Sequence, residues 1–219
     1  MEQQIDLKQL ERKVWISFFE DGIWDIYLGI LLLAMAIGAF LSDIRAPETT
    51  LIVIYACLVC LAFLFLWLGK HFITIPRIGR VNFGPKGKAR KKKTSVIFAI
   101  SVLIGLAVFI LVSRIVQVPW LSGLPMDVVF PAIWVGNMLI VFGLAAYFLR
   151  FHRLYLIGVM FAVGVPLDIV LRELTHLDLS FVAFGAPALV ILIMGIIVFV
   201  RFLRKYPRIE RGMCNAKAE

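Results

Sequence analysis

The chain alternates between long apolar runs and short polar connectors. Six runs come close to or exceed the roughly 20 residues a helix needs to cross a hydrocarbon layer about 30 Å thick. They are Ile23 to Leu41, Leu51 to Gly69, Ser95 to Ser113, Val128 to Leu149, Leu154 to Leu171 and Phe181 to Phe202, each bounded by charged residues or turn formers. None carries a charge near its middle. The pattern predicts an all-α integral membrane protein with six transmembrane helices, arranged as three hairpins in a single membrane domain. In residue numbers these are 23–69, 95–149 and 150–203, with a basic connector over 70–94 and a basic tail over 204–219.

Ahead of the first run, Leu7, Leu10, Val14 and Phe18 recur every three to four residues, with Trp15 and Phe19 adding aromatic bulk. This spacing predicts an amphipathic helix lying along the cytoplasmic interface within residues 1–22. Gly22 permits the turn into the first span. Glu20, Asp21 and Asp25 surround the start of that helix, where carboxylates satisfy unpaired NH groups and the helix dipole. A salt bridge to the basic connector, or an ion site, is the alternative role for these acids. No cleavable signal peptide is expected, because no short apolar run directly follows a basic start.

Composition agrees with the pattern. Of 219 residues, 62% are hydrophobic and 17% charged, whereas an ordinary soluble domain carries roughly 25% charged residues. Position adds more than amount. Twenty of the 23 Lys and Arg residues fall in the amino-terminal segment, in the connectors after the second and fourth spans, and at the carboxy-terminal end. The other three connectors hold one each, Arg45, Arg114 and Arg172. Basic residues are retained on the cytoplasmic side, so both termini are expected in the cytoplasm of a cell that carries this chain in its cytoplasmic membrane.

The basic connector is the densest charge. Lys86, Lys88, Arg90, Lys91, Lys92 and Lys93 make six of eight consecutive residues basic. Beside a membrane each is attracted to anionic head groups by about 1 kcal/mol, screened by salt. Anionic lipid head groups are therefore the expected partner, with another membrane protein or a second copy of the chain as further candidates. The net charge of +9 belongs to this connector and the tail, so no nucleic-acid partner is expected. Between the second span and the basic run, Phe72 to Phe83 alternates imperfectly and contains Pro76 and Gly79. We expect an irregular interfacial segment or a short bent strand there, and no helix. Residues 76–80 read PRIGR and residues 207–211 read PRIER, an offset that carries the first span onto the fifth. Internal repetition of parallel hairpins would explain it, and so would chance among short basic stretches.

Two stretches carry a resemblance. FEDGIWDIYLGILLL near the start and IPRIGRVNF after the second span resemble a group of uncharacterised prokaryotic multi-pass integral membrane proteins. In that group a DGLWDIFLG-like start precedes the first helix and a YPRxGYVxF-like segment follows the second. The likeness covers about the first third of the chain, and the chain departs from the pattern at Ile75 and Arg80. It implies a membrane location and singles out Asp21, Gly22, Trp24, Asp25, Pro76, Arg77 and Gly79. Arg77 and Arg80 join the connector lysines as expected lipid or partner contacts.

Chemistry inside the membrane would have to come from the few polar groups there, since burying an ionised group in hydrocarbon is costly. Asp168 lies about 15 residues, roughly 22 Å, beyond Arg153. Arg172 and His176 follow at spacings of four, with Glu173 alongside. An Asp168–Arg172 pair would neutralise the charge, and a substrate or ion site is the alternative. Asn137 is the polar residue in the middle of a span, and an interhelical hydrogen bond is its expected role. Cys57 and Cys60 lack a second ligand pair and are read as small apolar residues. Pro131, Pro166 and Pro187 are expected to kink or locally open their helices. Walker, G-x-S-x-G, H-E-x-x-H and dinucleotide signatures are missing, so no cofactor or metal is expected and an autonomous hydrolase or ATPase is disfavoured. The expectation is a structural, regulatory or accessory membrane protein. A small-solute transporter or channel, and a lipid-modifying enzyme using Asp168, Glu173 or His176, are the alternatives.

Overall fold

A computed structural model describes residues 21–78, 126–149 and 151–206, with isolated helical positions between 96 and 107. Among the described residues the chain is helical and contains no strand. It carries five helices long and apolar enough to cross a membrane. The third predicted run lies almost wholly outside the described residues, as do residues 1–20, residues 79–95 and the tail after Tyr206.

Helix α1 spans Ile23–Asp43 and begins immediately after Gly22, whose φ of 75° turns the backbone into the helix. It ends where Arg45 adopts φ 53°, with the amides of Ile44, Arg45 and Ala46 donating back to the last-turn carbonyls of Phe40, Ser42 and Leu41. Pro47 fixes the backbone ahead of α2, Glu48–Gly69. Instead of breaking, α2 widens into a π-helical turn over Lys70–Thr74 and continues as the short α3, Ile75–Ile78. The helical path therefore reaches nine residues past the boundary expected at Gly69, and the predicted irregular segment or strand from Phe72 is replaced by helix as far as Ile78. The physical reason is backbone satisfaction. At the edge of a hydrocarbon layer an unpaired NH is costly, so the chain keeps its helical bonds and absorbs the missing Pro76 donor in a wider turn.

Helices α4, Met126–Leu149, α5, Arg153–Thr175, and α6, Ser180–Lys205, contain Pro131, Pro166 and Pro187 within continuous helix. The described helices pack as a row in the order α2, α1, α6, α5, α4. Its core is built from Leu32 and Ala36 of α1, Ile157 and Phe161 of α5, and Ala183, Phe184, Ala188 and Ile191 of α6. Small residues let the backbones approach. A methyl on Gly158 would lie 2.5 Å from Phe142, and one on Gly164 would lie 2.6 Å from Phe184. At the ends of the row, α2 and α4 turn Ile52, Leu61, Phe63, Leu139 and Ile140 outward. In water that surface would be costly. Facing lipid tails it needs no cover, which is why α2 is apolar all round and α1 and α6 are not.

Candidate functional site

Contacts between helix ends show which ends lie together. The start of α1, the Lys70–Arg77 segment, the start of α5 and the end of α6 meet through side-chain bonds described below. At the far end Phe40 of α1 and Phe181 of α6 are in ring contact at 5.9 Å. The junction of α4 and α5 is tight, with the Phe151 amide bonded to the Ala146 carbonyl, so α4 runs antiparallel to α5. Lys70, Arg77, Arg153, Arg201, Arg204 and Lys205 thus share one end, and Arg45 and Arg172 the other.

Asp21 is the centre of the basic end. It is fully buried, and its two oxygens are divided between local and distant partners. Oδ1 accepts the amide of Ile23 at 3.1 Å, satisfying one of the orphan donors of the α1 start. Oδ2 accepts from Lys70 Nζ at 2.5 Å and from Thr74 Oγ1 at 2.7 Å. Lys70 and Thr74 stand at the two ends of the π-helical turn. The widened turn is thus the segment that brings both donors to one carboxylate oxygen. Both sequence readings of Asp21, helix-start acid and salt bridge to the connector, are realised by different oxygens of the same side chain.

Asp25, one turn further on, is also fully buried. Its Oδ2 accepts from Arg153 Nη1 at 2.6 Å, while Oδ1 is buried without a hydrogen-bond partner among the described residues. Arg153 also lies over the Phe151 ring at 5.1 Å. Between the two acids, Gly22 touches the backbone of α6: a methyl there would fall 2.6 Å from the Gly195 carbonyl oxygen and 2.7 Å from the Phe199 nitrogen. Gly195 in turn faces Asp25 and Ile26, with 2.8 Å from its virtual methyl to the Ile26 nitrogen. The D-G-x-x-D spacing is therefore a close crossing of two helices with an acid on each side of the contact point. Trp24 packs edge-on to Tyr27 at 5.9 Å between ring centres and sits against the core.

Arg77 closes the arrangement. Its Nη1 donates to the carbonyls of Leu203 and Tyr206 at 3.0 and 2.9 Å, satisfying acceptors that the end of α6 leaves open. This arginine, expected to meet lipid or a partner, is directed inward onto α6. Arg80, Lys86, Lys88, Arg90, Lys91, Lys92 and Lys93 lie outside the described residues.

The acid–base cluster predicted toward the other end is looser. Arg172 reaches Asp168 at 3.4 Å, Ser180 Oγ at 3.1 Å and Asp178 at 3.5 Å, and its side chain is half exposed. It ties the end of α5 to the start of α6. Glu173 is exposed, and His176 sits at the left-handed end of α5 with φ 54°. Among the described residues no group of three or more His, Cys, Asp or Glu could hold a metal ion. Asn137 faces the third run, its Oδ1 lying 3.2 Å from a virtual methyl on Gly105. Cys57 and Cys60 are exposed on α2.

The first of the stretches that carry the sequence resemblance meets, at Asp21, Lys70 and Thr74, which stand just ahead of the second stretch. Sequence reasoning missed these partners. Lys70 was read only as a member of the basic connector, Arg153 only as an orientation signal, and Thr74 and Gly195 not at all. Pairings between residues 49 and 128 positions apart leave no local spacing to read. Comparison with known protein families, curated proteins and solved structures found no match.

Proposed function

We propose that the chain is a six-span protein of the cytoplasmic membrane, with both termini in the cytoplasm, acting as a structural or regulatory accessory subunit. Its basic connector, 70–94, is proposed to contact anionic head groups and a partner membrane protein. One observation carries this reading. The fully buried carboxylates among the described residues, Asp21 and Asp25, are both engaged in holding helix ends together. Charge in the bundle thus fixes the face from which the connector departs.

The six-span threading is supported by connectivity. Residue 78 stands at the basic end and residue 126 at the opposite one, so the chain between them must cross an odd number of times if the five helices span the membrane. The Ser95 to Ser113 run is the apolar stretch available for one crossing. The transport reading draws on the buried Asp168 Oδ1, which has no hydrogen-bond partner among the described residues. The test pairs two assays on the full-length protein. Affinity capture from native membranes should recover a stable partner that is lost when Lys86 to Lys93 are neutralised. Flux of labelled solutes into liposomes, abolished by Asp168→Asn in a folded protein, would overturn the accessory reading.

A further inference from the structure

We propose that the folded rim at the basic end, centred on Arg201, Arg204 and Lys205, is itself a binding surface for the phosphate groups of anionic phospholipids, separate from the connector. The inference rests on the multi-pass reading above and assigns that face a second, structured contact with lipid.

The six described cations at this end divide into two sets. Lys70, Arg77 and Arg153 are directed inward, each bonded to an acid or to backbone carbonyls. Arg201, Arg204 and Lys205 are exposed, spaced by three and four residues along one stretch of α6, so they form neighbouring positions on its surface. Cations in a last turn ordinarily interact with the open carbonyls of their own helix. Here Arg77 occupies the Leu203 and Tyr206 carbonyls, and the three side chains are exposed. Lys205 lies over the Tyr206 ring, 5.4 Å from its centre.

Among the described residues the sign of this surface is unmixed. Both described acids at this end are buried, whereas Glu48, Glu173 and Asp178 are exposed at the other. Nothing acidic among the described residues offsets the rim.

Depth selects the partner. Counting from Ser180, about 20 residues at about 1.5 Å each cross a layer of about 30 Å and reach Phe199. Arg201 to Lys205 then project several ångströms into the head-group layer. The same count from Glu48 ends at Trp67, which is 54% exposed and stacked on His71. Tryptophan is enriched at the boundary between tails and head groups, so the count along α2 ends on a residue type suited to that boundary. The rim cations therefore sit where lipid phosphates already stand. A soluble protein or nucleic acid would have to displace head groups to reach them.

The experiment uses the full-length protein in liposomes containing spin-labelled phosphatidylglycerol or phosphatidylcholine, and reads the fraction of label immobilised at the protein surface. The wild type should select the anionic label, and the triple variant Arg201→Gln, Arg204→Gln, Lys205→Gln should reduce that selectivity at least about threefold. Lysine at positions 201 and 204 should restore it. A variant with Lys86 to Lys93 neutralised should keep at least about half of the selectivity, because the connector is a separate contact. If the triple variant unfolds, the single exposed change Arg204→Gln, checked for unaltered thermal unfolding, gives the same reading at smaller amplitude. Selectivity unchanged in the rim variants, or lost wholly with the connector, overturns the proposal. Failure of the accessory reading is seen elsewhere, as a partner capture indifferent to the connector.

Discussion

Asp21 and Lys70 offer the sharpest test of how the basic end is held. Asp21→Asn removes the charge and keeps one oxygen, which can still accept from the Ile23 amide at 3.1 Å, while the amide nitrogen takes the place of Oδ2 and can donate to the Thr74 hydroxyl in a reversed bond. The substitution thus removes the carboxylate that Lys70 pairs with at almost unchanged shape. Lys70, with 11% of its side chain exposed, would keep a buried ammonium and lose the carboxylate now bonded to it at 2.5 Å. Breaking such a pair from one side costs about 3–5 kcal/mol, because the remaining charge is left desolvated. Lys70→Met should cost a similar amount by stranding Asp21. The double variant removes both charges together and should lose only about 1–2 kcal/mol, so the coupling between the sites is about 4–9 kcal/mol. The assay is reversible unfolding of the purified protein in mixed micelles, with all four members of the cycle compared under one condition. Additive losses, with the double variant as unstable as the sum of the singles, would refute the reasoning.

Gly22→Ala must place a methyl in the α6 backbone at φ 75°, 2.6 Å from the Gly195 oxygen, and should cost at least about 2 kcal/mol. Gly143→Ala, with nothing within 4 Å, should be neutral or stabilising by up to about 1 kcal/mol in the same unfolding assay. Arg77→Ala releases the Leu203 and Tyr206 carbonyls and should cost about 2 kcal/mol, with faster amide exchange confined to the last turns of α6. Asp168→Asn breaks a contact of 3.4 Å to a half-exposed arginine, so its effect on unfolding should stay below about 1 kcal/mol.

The spans were legible because an apolar run of helical length bounded by charge has one cheap solution in lipid. Leu51 to Gly69 and Phe181 to Phe202 lie within α2 and α6 as read. The continuation of α2 to Ile78 was not legible, because Pro76 and Gly79 act as breakers in water, where a freed NH finds a solvent partner. The Asp168–Arg172 pairing is legible because four residues make about one helical turn, and the contact is present at 3.4 Å. Asp21 was placed at a helix start by the same local logic. Its ties to Lys70 and Thr74, and that of Asp25 to Arg153, depend on which helices lie side by side, and nothing in an apolar run of α1 or α6 announces its neighbour. The glycines at 22 and 195 were the available clue, since a close crossing needs both, but a glycine in a membrane helix has many other uses.

In the proposed topology the end tied together by Asp21 and Asp25 faces the cytoplasm and the Arg45 end faces outward. The most direct measurement is labelling of single cysteines by a membrane-impermeant thiol reagent, with Cys57, Cys60 and Cys214 replaced by alanine. Cysteine at Arg45 or Asp178 should react in intact cells, and cysteine at His71 or Lys205 only after the membrane is opened. Reaction of His71→Cys in intact cells, or of Arg45→Cys and Lys205→Cys from the same side, would contradict it.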